Sequence, residues 1–168
     1  MQSLFLTRYD AFLDVLDRMA AFVVKVTMGV MTIVLILQVF YRYFMNDSLD
    51  WGWDVPRVCF IWAVLLSIPL GFRHNAHVGI DLLVNRFAPG TRRAVNSFNW
   101  ILMLIVSLTI TYYACLVADA IWDQMMPGLA LSVGWFYVAL AISQIHVFLH
   151  VLRNLMVGAP RDANWGEE

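Results

Sequence analysis

The chain has 168 residues, of which 61% are hydrophobic and 14% charged, with a net charge of −1. A water-soluble domain of this length has too little interior to hide so much apolar surface, and the near-zero charge offers no field for nucleic acid. The charges cluster between long apolar runs, as in a polytopic membrane protein. Both cysteines, Cys59 and Cys115, lie inside apolar runs and read as buried hydrophobic-type residues, not as a redox pair.

In residues 1–24, Phe5, Tyr9, Phe12, Leu13, Leu16, Met19 and Ala20 recur at helical spacing. Asp10, Asp14 and Asp17 share another face, with Arg18 beside them. The pattern predicts an amphipathic helix over 3–18, lying on the membrane surface and leading into the first span. The apolar run that follows ends in Tyr41-Arg42-Tyr43 without a small-residue cleavage site, which argues against a cleaved signal peptide. Span 1 is placed at about 19–41, with Lys25 near its start and able to snorkel to the headgroups. Gln38 and Arg42 are four apart and share a face at its far end. Polar groups there prefer a helix seam or a partner protein to lipid, although Arg42 also suits an ordinary interface anchor.

Residues 51–81 are the most informative stretch, with a tryptophan-rich lead-in, an apolar middle and a polar exit. Residues 58–72 carry no charge. As α-helix they reach only roughly 22 Å, against about 30 Å of hydrocarbon. Span 2, about 54–73, must therefore take Arg57, Arg73 or both into its end turns. Trp51, Trp53, Asp54 and Arg57 then stand at one interface, and Arg73, His74, His77 and Asp81 at the other. Asp54 and Arg57, three apart, can pair on one helix face. Pro56 falls in the first turn, where it costs least, and Pro69 falls near the other end. Trp53 suits the interfacial belt, whereas Trp62 is deep enough to be a packing residue.

Beyond it, Ile80, Leu83, Val84 and Phe87 predict a short interfacial helix over 79–88, stopped by Pro89-Gly90, with Thr91 as the N-cap of the next helix. Span 3 is placed at about 94–120. Asp119 and Asp123, four apart, extend one face beyond it. Met125-Met126-Pro127-Gly128 turns the chain, and Ser132 is the candidate N-cap of span 4, about 133–157. Trp135 and Tyr137 form a belt at its start, and Ala139 and Ser143 suit close helix packing. The whole reads as one all-α, four-helix membrane domain over 1–158 with a short polar tail over 159–168. If the N-terminus is inside, nine of the 11 basic residues lie on inner segments and only Arg42 and Arg57 lie outside, so both termini are expected in the cytoplasm.

Four histidines, His74, His77, His146 and His150, fall near the cytoplasmic ends of spans 2 and 4. They raise a competing reading: a haem- or quinone-linked membrane anchor of a redox enzyme, with one axial histidine from each helix. His146 and His150, at i and i+4, could also join a metal site. The histidines sit at the membrane edge, and no carboxylate or thiolate cluster in the sequence completes a metal set, so polar interfacial histidines are the preferred reading. No catalytic, cofactor or metal residues are assigned. Ser67, Ser107 and Ser143 have no base partner and read as helix-packing serines. The spans contain no central carboxylate and no paired broken helices of the kind that build a midplane substrate site. A third reading is a structural membrane adaptor outside transport.

The order of residues resembles the small, four-helix (Q-type) membrane subunit of tripartite ATP-independent periplasmic (TRAP) transporters. The likeness covers about residues 15–155. It rests on Gln38-Val39-Phe40-Tyr41-Arg42-Tyr43, on 48–62, on Leu70-Gly71 and Arg73, and on His77-Val78-Gly79-Ile80-Asp81. Where the family commonly has two adjacent acids after the first Trp of the span 2 lead-in, this chain has Trp53-Asp54, leaving one carboxylate, with Pro56 following. The resemblance implies a subunit of a bacterial or archaeal inner-membrane transporter that carries no chemistry of its own. A large (M-type) subunit would hold the sodium ions and solute, and a periplasmic (P-type) binding protein would capture an organic acid. It places the candidate partner interface at Gln38, Arg42, Trp51, Asp54, Arg57, Trp62, Arg73, His77 and Asp81, with lipid around them. Asp119 and Asp123 become candidate contacts for the binding protein.

Overall fold

The computed structural model describes residues 2–46, 49–73 and 89–157. Four helices carry the fold: α1 (Gln2–Phe40), α2 (Asp54–Arg73), α3 (Pro89–Ala120) and α4 (Gly134–Val157). Each is long and apolar enough to cross a membrane. Among the described residues, extended pairing is confined to one bridge between Met125 and Ser132. The all-α, four-span architecture expected from the sequence is the one observed. The interfacial helix expected over 79–88 lies outside the described residues, as do His74, His77 and Asp81.

Helix α2 has 20 residues, about 30 Å of α-helix, and includes both Arg57 and Arg73, as the shortness of its uncharged middle required. The chain is already helical at Pro89, the first described residue of α3. Thr91 therefore lies inside the helix and is not its cap.

The amphipathic segment over 3–18 is helical, but it runs without a break into span 1, so α1 is a single helix of 39 residues. Its buried stripe is Leu13, Asp17, Ala20, Val34 and Gln38, while Phe12, Val15, Met19 and Phe22 are exposed. This reverses the surface-helix reading, in which Asp17 belonged to the polar outer face. In hydrocarbon the apolar side chains can face outward, and the polar ones gain by turning into a helix seam.

Helix α1 packs along α2, α2 along α4, and α4 along α3, so the helices stand in the order α1, α2, α4, α3; α1 also reaches α4 near one end. Helix α3 meets its neighbour through a narrow stripe of small residues, Ser107, Ala114 and Ala118, all buried, which lets two backbones approach closely. The α2–α4 seam has a specific lock. Pro69 is inside α2 and has no N–H, so the Leu65 carbonyl four residues earlier loses its helical donor. Ser143 Oγ of α4 donates to that carbonyl. The repair of a freed carbonyl by a neighbouring hydroxyl is what makes proline tolerable in a membrane helix.

Candidate functional site

The polar groups of the chain gather at the two ends of the helix row. At the tryptophan end, α1 finishes in a π-helical turn, Tyr41–Met45, closed by Asn46 with φ 51°. Asparagine tolerates this left-handed conformation better than most side chains. A 3-10 turn, Asp50–Gly52, then leads into α2. In the amide orientation that satisfies both groups, Gln38 Nε2 donates to Gly52 O at 2.9 Å and its Oε1 accepts from Trp53 Nε1 at 3.1 Å. The Trp53 ring stays exposed while its N–H is bonded, the usual compromise of an interfacial tryptophan.

Asp54 is buried, and its Oδ2 accepts from the Gly128 N–H at 2.7 Å. This ties the α3–α4 loop to the start of α2. The loop is shaped by two further bonds, Met126 N–H to Leu131 O at 2.9 Å and Val133 N–H to Gln124 O at 2.8 Å. A Cβ at position 128 would run into the Asp50 carbonyl, so glycine is needed there for close approach and not for an unusual φ. Ser132 caps α4 as expected, its Oγ accepting from Gly134 N–H at 3.0 Å. Trp62 is a packing residue as expected: its ring lies 6.4 Å from that of Trp135, which lies 6.0 Å from that of Trp122.

The expected Asp54–Arg57 pair does not form. Asp54 is taken by Gly128, and the Arg57 guanidinium lies 5.2 Å over the Phe136 ring, a cation–π contact between α2 and α4. Both groups find partners in the α3–α4 loop and α4, elements far away in sequence. Gln38 and Arg42 also part company. Gln38 is consumed internally, whereas Arg42 is exposed and has no partner among the described residues. Trp51, Asp119 and Asp123 are exposed. Arg73 ends α2; His77 and Asp81 lie outside the described residues. The small-residue side of α4, Ala139 and Ser143, is fully buried within the chain and so is not open to a partner.

At the histidine end, the first half of α1 is pinned to the second half of α4. The Tyr9 hydroxyl donates to Leu149 O at 2.9 Å, and Arg153 Nε donates to Asp10 Oδ1 at 3.0 Å. Deeper in, His146 Nε2 and His150 Nε2 lie 3.0 and 2.9 Å from Asp17 Oδ1, with all three residues buried. Sequence reading flagged the two histidines but did not find the carboxylate, 129 residues away along the chain. Both imidazoles come from one helix and converge on one oxygen, whereas axial haem ligands face each other across a ring.

Outside these ends the flanks of α1 and α3 are apolar and exposed, with Phe22, Ile33, Ile36, Phe98, Ile105 and Leu108 among the outward side chains. That suits lipid or another membrane protein. A sequence profile described as "Tripartite ATP-independent periplasmic transporters, DctQ component" matches residues 31–161. A protein of Haemophilus influenzae described as a TRAP transporter small permease protein is 25% identical over 115 residues, covering 68% of this chain and 70% of that protein. The C4-dicarboxylate TRAP transporter small permease protein DctQ of Vibrio cholerae is 30% identical over 93 residues, 55% of this chain and 38% of that protein. The sialic acid TRAP transporter permease protein SiaT of Haemophilus influenzae is 25% identical over 115 residues, 67% of this chain but only 18% of that longer protein. With the profile spanning most of the sequence and four helices able to cross a membrane, the chain belongs to the DctQ family, the small permease component of tripartite ATP-independent periplasmic transporters.

Proposed function

We propose that this chain is the static scaffold of a TRAP transporter, holding a larger membrane subunit in place while that subunit carries an organic acid inward with sodium. The observation that carries the reading is where the polar groups go. Gln38, Asp54, Ser143, Asp17, His146 and His150 all make hydrogen bonds within the chain, while the exposed flanks of α1 and α3 are apolar. Such a chain binds its membrane partner by surface and holds its own shape. The sodium ions and the solute then belong to the larger subunit, and this chain performs no enzymatic step. Two relatives support the assignment. One is named for C4-dicarboxylates, and the other is a longer sialic acid permease in which the matching segment is a minor part. Both name carboxylate solutes, and the second fits a small unit working beside a larger one.

Arg42 and Trp51 remain open at the tryptophan end and are assigned to the larger subunit. Asp119 and Asp123 are assigned to the periplasmic binding protein. The excess of basic residues on the segments assigned to the inner side supports a topology with both termini in the cytoplasm.

The test is co-expression with the cognate large subunit, with and without this chain, scored by co-purification and by sodium-dependent, binding-protein-dependent uptake into proteoliposomes. The chain should co-purify and uptake should require it. Arg42→Ala should weaken co-purification, and charge reversal at Asp119 and Asp123 should lower uptake with assembly intact. Full uptake by the large subunit and binding protein alone would refute the scaffold role.

A further inference from the structure

The Asp17–His146–His150 cluster enters the reading above only as internally bonded polar groups. We propose that these three side chains bind one divalent transition-metal ion, with Zn2+ as the reference ion, and that the ion clasps α1 to α4. The proposal does not depend on the transport reading, because the isolated full-length chain is what is tested.

The geometry is that of a preformed ligand set. His146 Nε2, His150 Nε2 and Asp17 Oδ1 form a triangle with edges of 3.0, 2.9 and 3.3 Å. A circle through those atoms has a radius of about 1.8 Å, so an ion about 2.0–2.2 Å from each would sit about 1 Å out of their plane. That is how three ligands surround a four-coordinate metal, with the fourth position left open. Without an ion, two ring nitrogens 3.3 Å apart share one carboxylate oxygen, and the tautomer of each ring decides which of them donates. With an ion, three lone pairs meet one acceptor.

The local sequence supports the placement. Histidines at i and i+4 project from one face of α4, the spacing that binds zinc from a single helix. Asp17 comes from the opposing helix, so the ion cross-links two elements. Two imidazoles and one carboxylate form a borderline donor set that suits Zn2+ and Co2+, whereas Mg2+ and Ca2+ call for oxygen alone. A buried carboxylate also favours a cation beside it. Asn154, one turn beyond His150 on α4, is buried, and its side chain has no hydrogen-bond partner among the described residues. His146 also lines an apolar groove of about 310 Å³ with Leu16, Met19, Ala20, Trp62 and Leu66, so one edge of the cluster borders open space.

The full-length chain, purified without a histidine tag in nanodiscs and stripped with chelator, is titrated with Co2+ alone and then with Zn2+. One equivalent of Co2+ should bind and give the visible bands of four-coordinate cobalt, and Zn2+ should remove them. Asp17→Asn, His146→Gln and His150→Gln should each abolish the bands. If a variant does not fold, X-ray absorption on the zinc-loaded wild type decides, where two imidazoles should appear in the first shell. Absence of stoichiometric binding, bands that persist in the three-fold variant, or a first shell without imidazole would each overturn the proposal.

Discussion

Ser143→Ala isolates the repair of the proline in α2. The serine is fully buried and donates to the Leu65 carbonyl, which Pro69 deprives of its helical partner. Removing the hydroxyl leaves that carbonyl unsatisfied in an apolar seam. An orphaned buried polar group costs about 1–3 kcal/mol in soluble proteins. Interhelical bonds in membranes average nearer 0.6 and reach about 1.7 kcal/mol. With no backbone donor left to replace the hydroxyl, the upper part of the membrane range applies, about 1.5 kcal/mol. In a Pro69→Ala background the new N–H at position 69 can reach the Leu65 carbonyl, and the same serine change should cost only about 0.5 kcal/mol. The coupling between the two positions is therefore about 1 kcal/mol, and loss of the buried proline ring cancels from the cycle. Reversible unfolding in mixed detergent micelles, followed by tryptophan fluorescence across the four variants, measures it. Equal serine costs in both backgrounds, within about 0.5 kcal/mol, would refute the repair.

Two predictions concern the tryptophan end. Gly128→Ala should displace the α3–α4 loop, because the added methyl meets the Asp50 backbone; a loss on the order of 2 kcal/mol should appear as faster hydrogen exchange over residues 124–133. Asp54→Ala should free the same loop and cost about 2 kcal/mol, whereas Asp54→Asn keeps an acceptor for Gly128 N–H and should cost about half as much; equal exchange rates in the two variants would show that this hydrogen bond does not hold the loop.

The spans were legible because charge marks where a helix can leave hydrocarbon. The uncharged run over 58–72 was too short to cross alone, and α2 indeed extends to both flanking arginines. Ser132 as a cap and Trp62 as a packing residue were legible from local position. Three features were not. Asp17 was assigned to an outer face by a rule suited to a helix lying in the interface, and that rule inverts for one inserted beside other helices. Asp54 was paired with its neighbour Arg57 because i, i+3 spacing is visible in sequence, whereas a backbone N–H 74 residues away is not. Ser143 read as a small packing residue. Its role depends on a proline in another helix, and only the arrangement α1, α2, α4, α3 brings the two together.

That arrangement bears on whether the chain moves. Along α1 the two buried polar anchors are Asp17 and Gln38, and 38 − 17 = 21 residues separate them. As α-helix that is about 31 Å, close to one hydrocarbon thickness. Between them, Thr27 and Thr32 bond only to carbonyls of their own helix. So α1 is held by polar bonds at both membrane edges, to α4 at one and to the turn before α2 at the other. A tilt of α1 as a rigid rod would have to break one set or the other, and at the histidine end it would leave a carboxylate buried without its donors. An element that moves solute needs two arrangements of similar energy. Anchors at both edges, with the Ser143–Leu65 lock between α2 and α4, favour one arrangement over any tilted alternative, and that suits the static member of a moving machine.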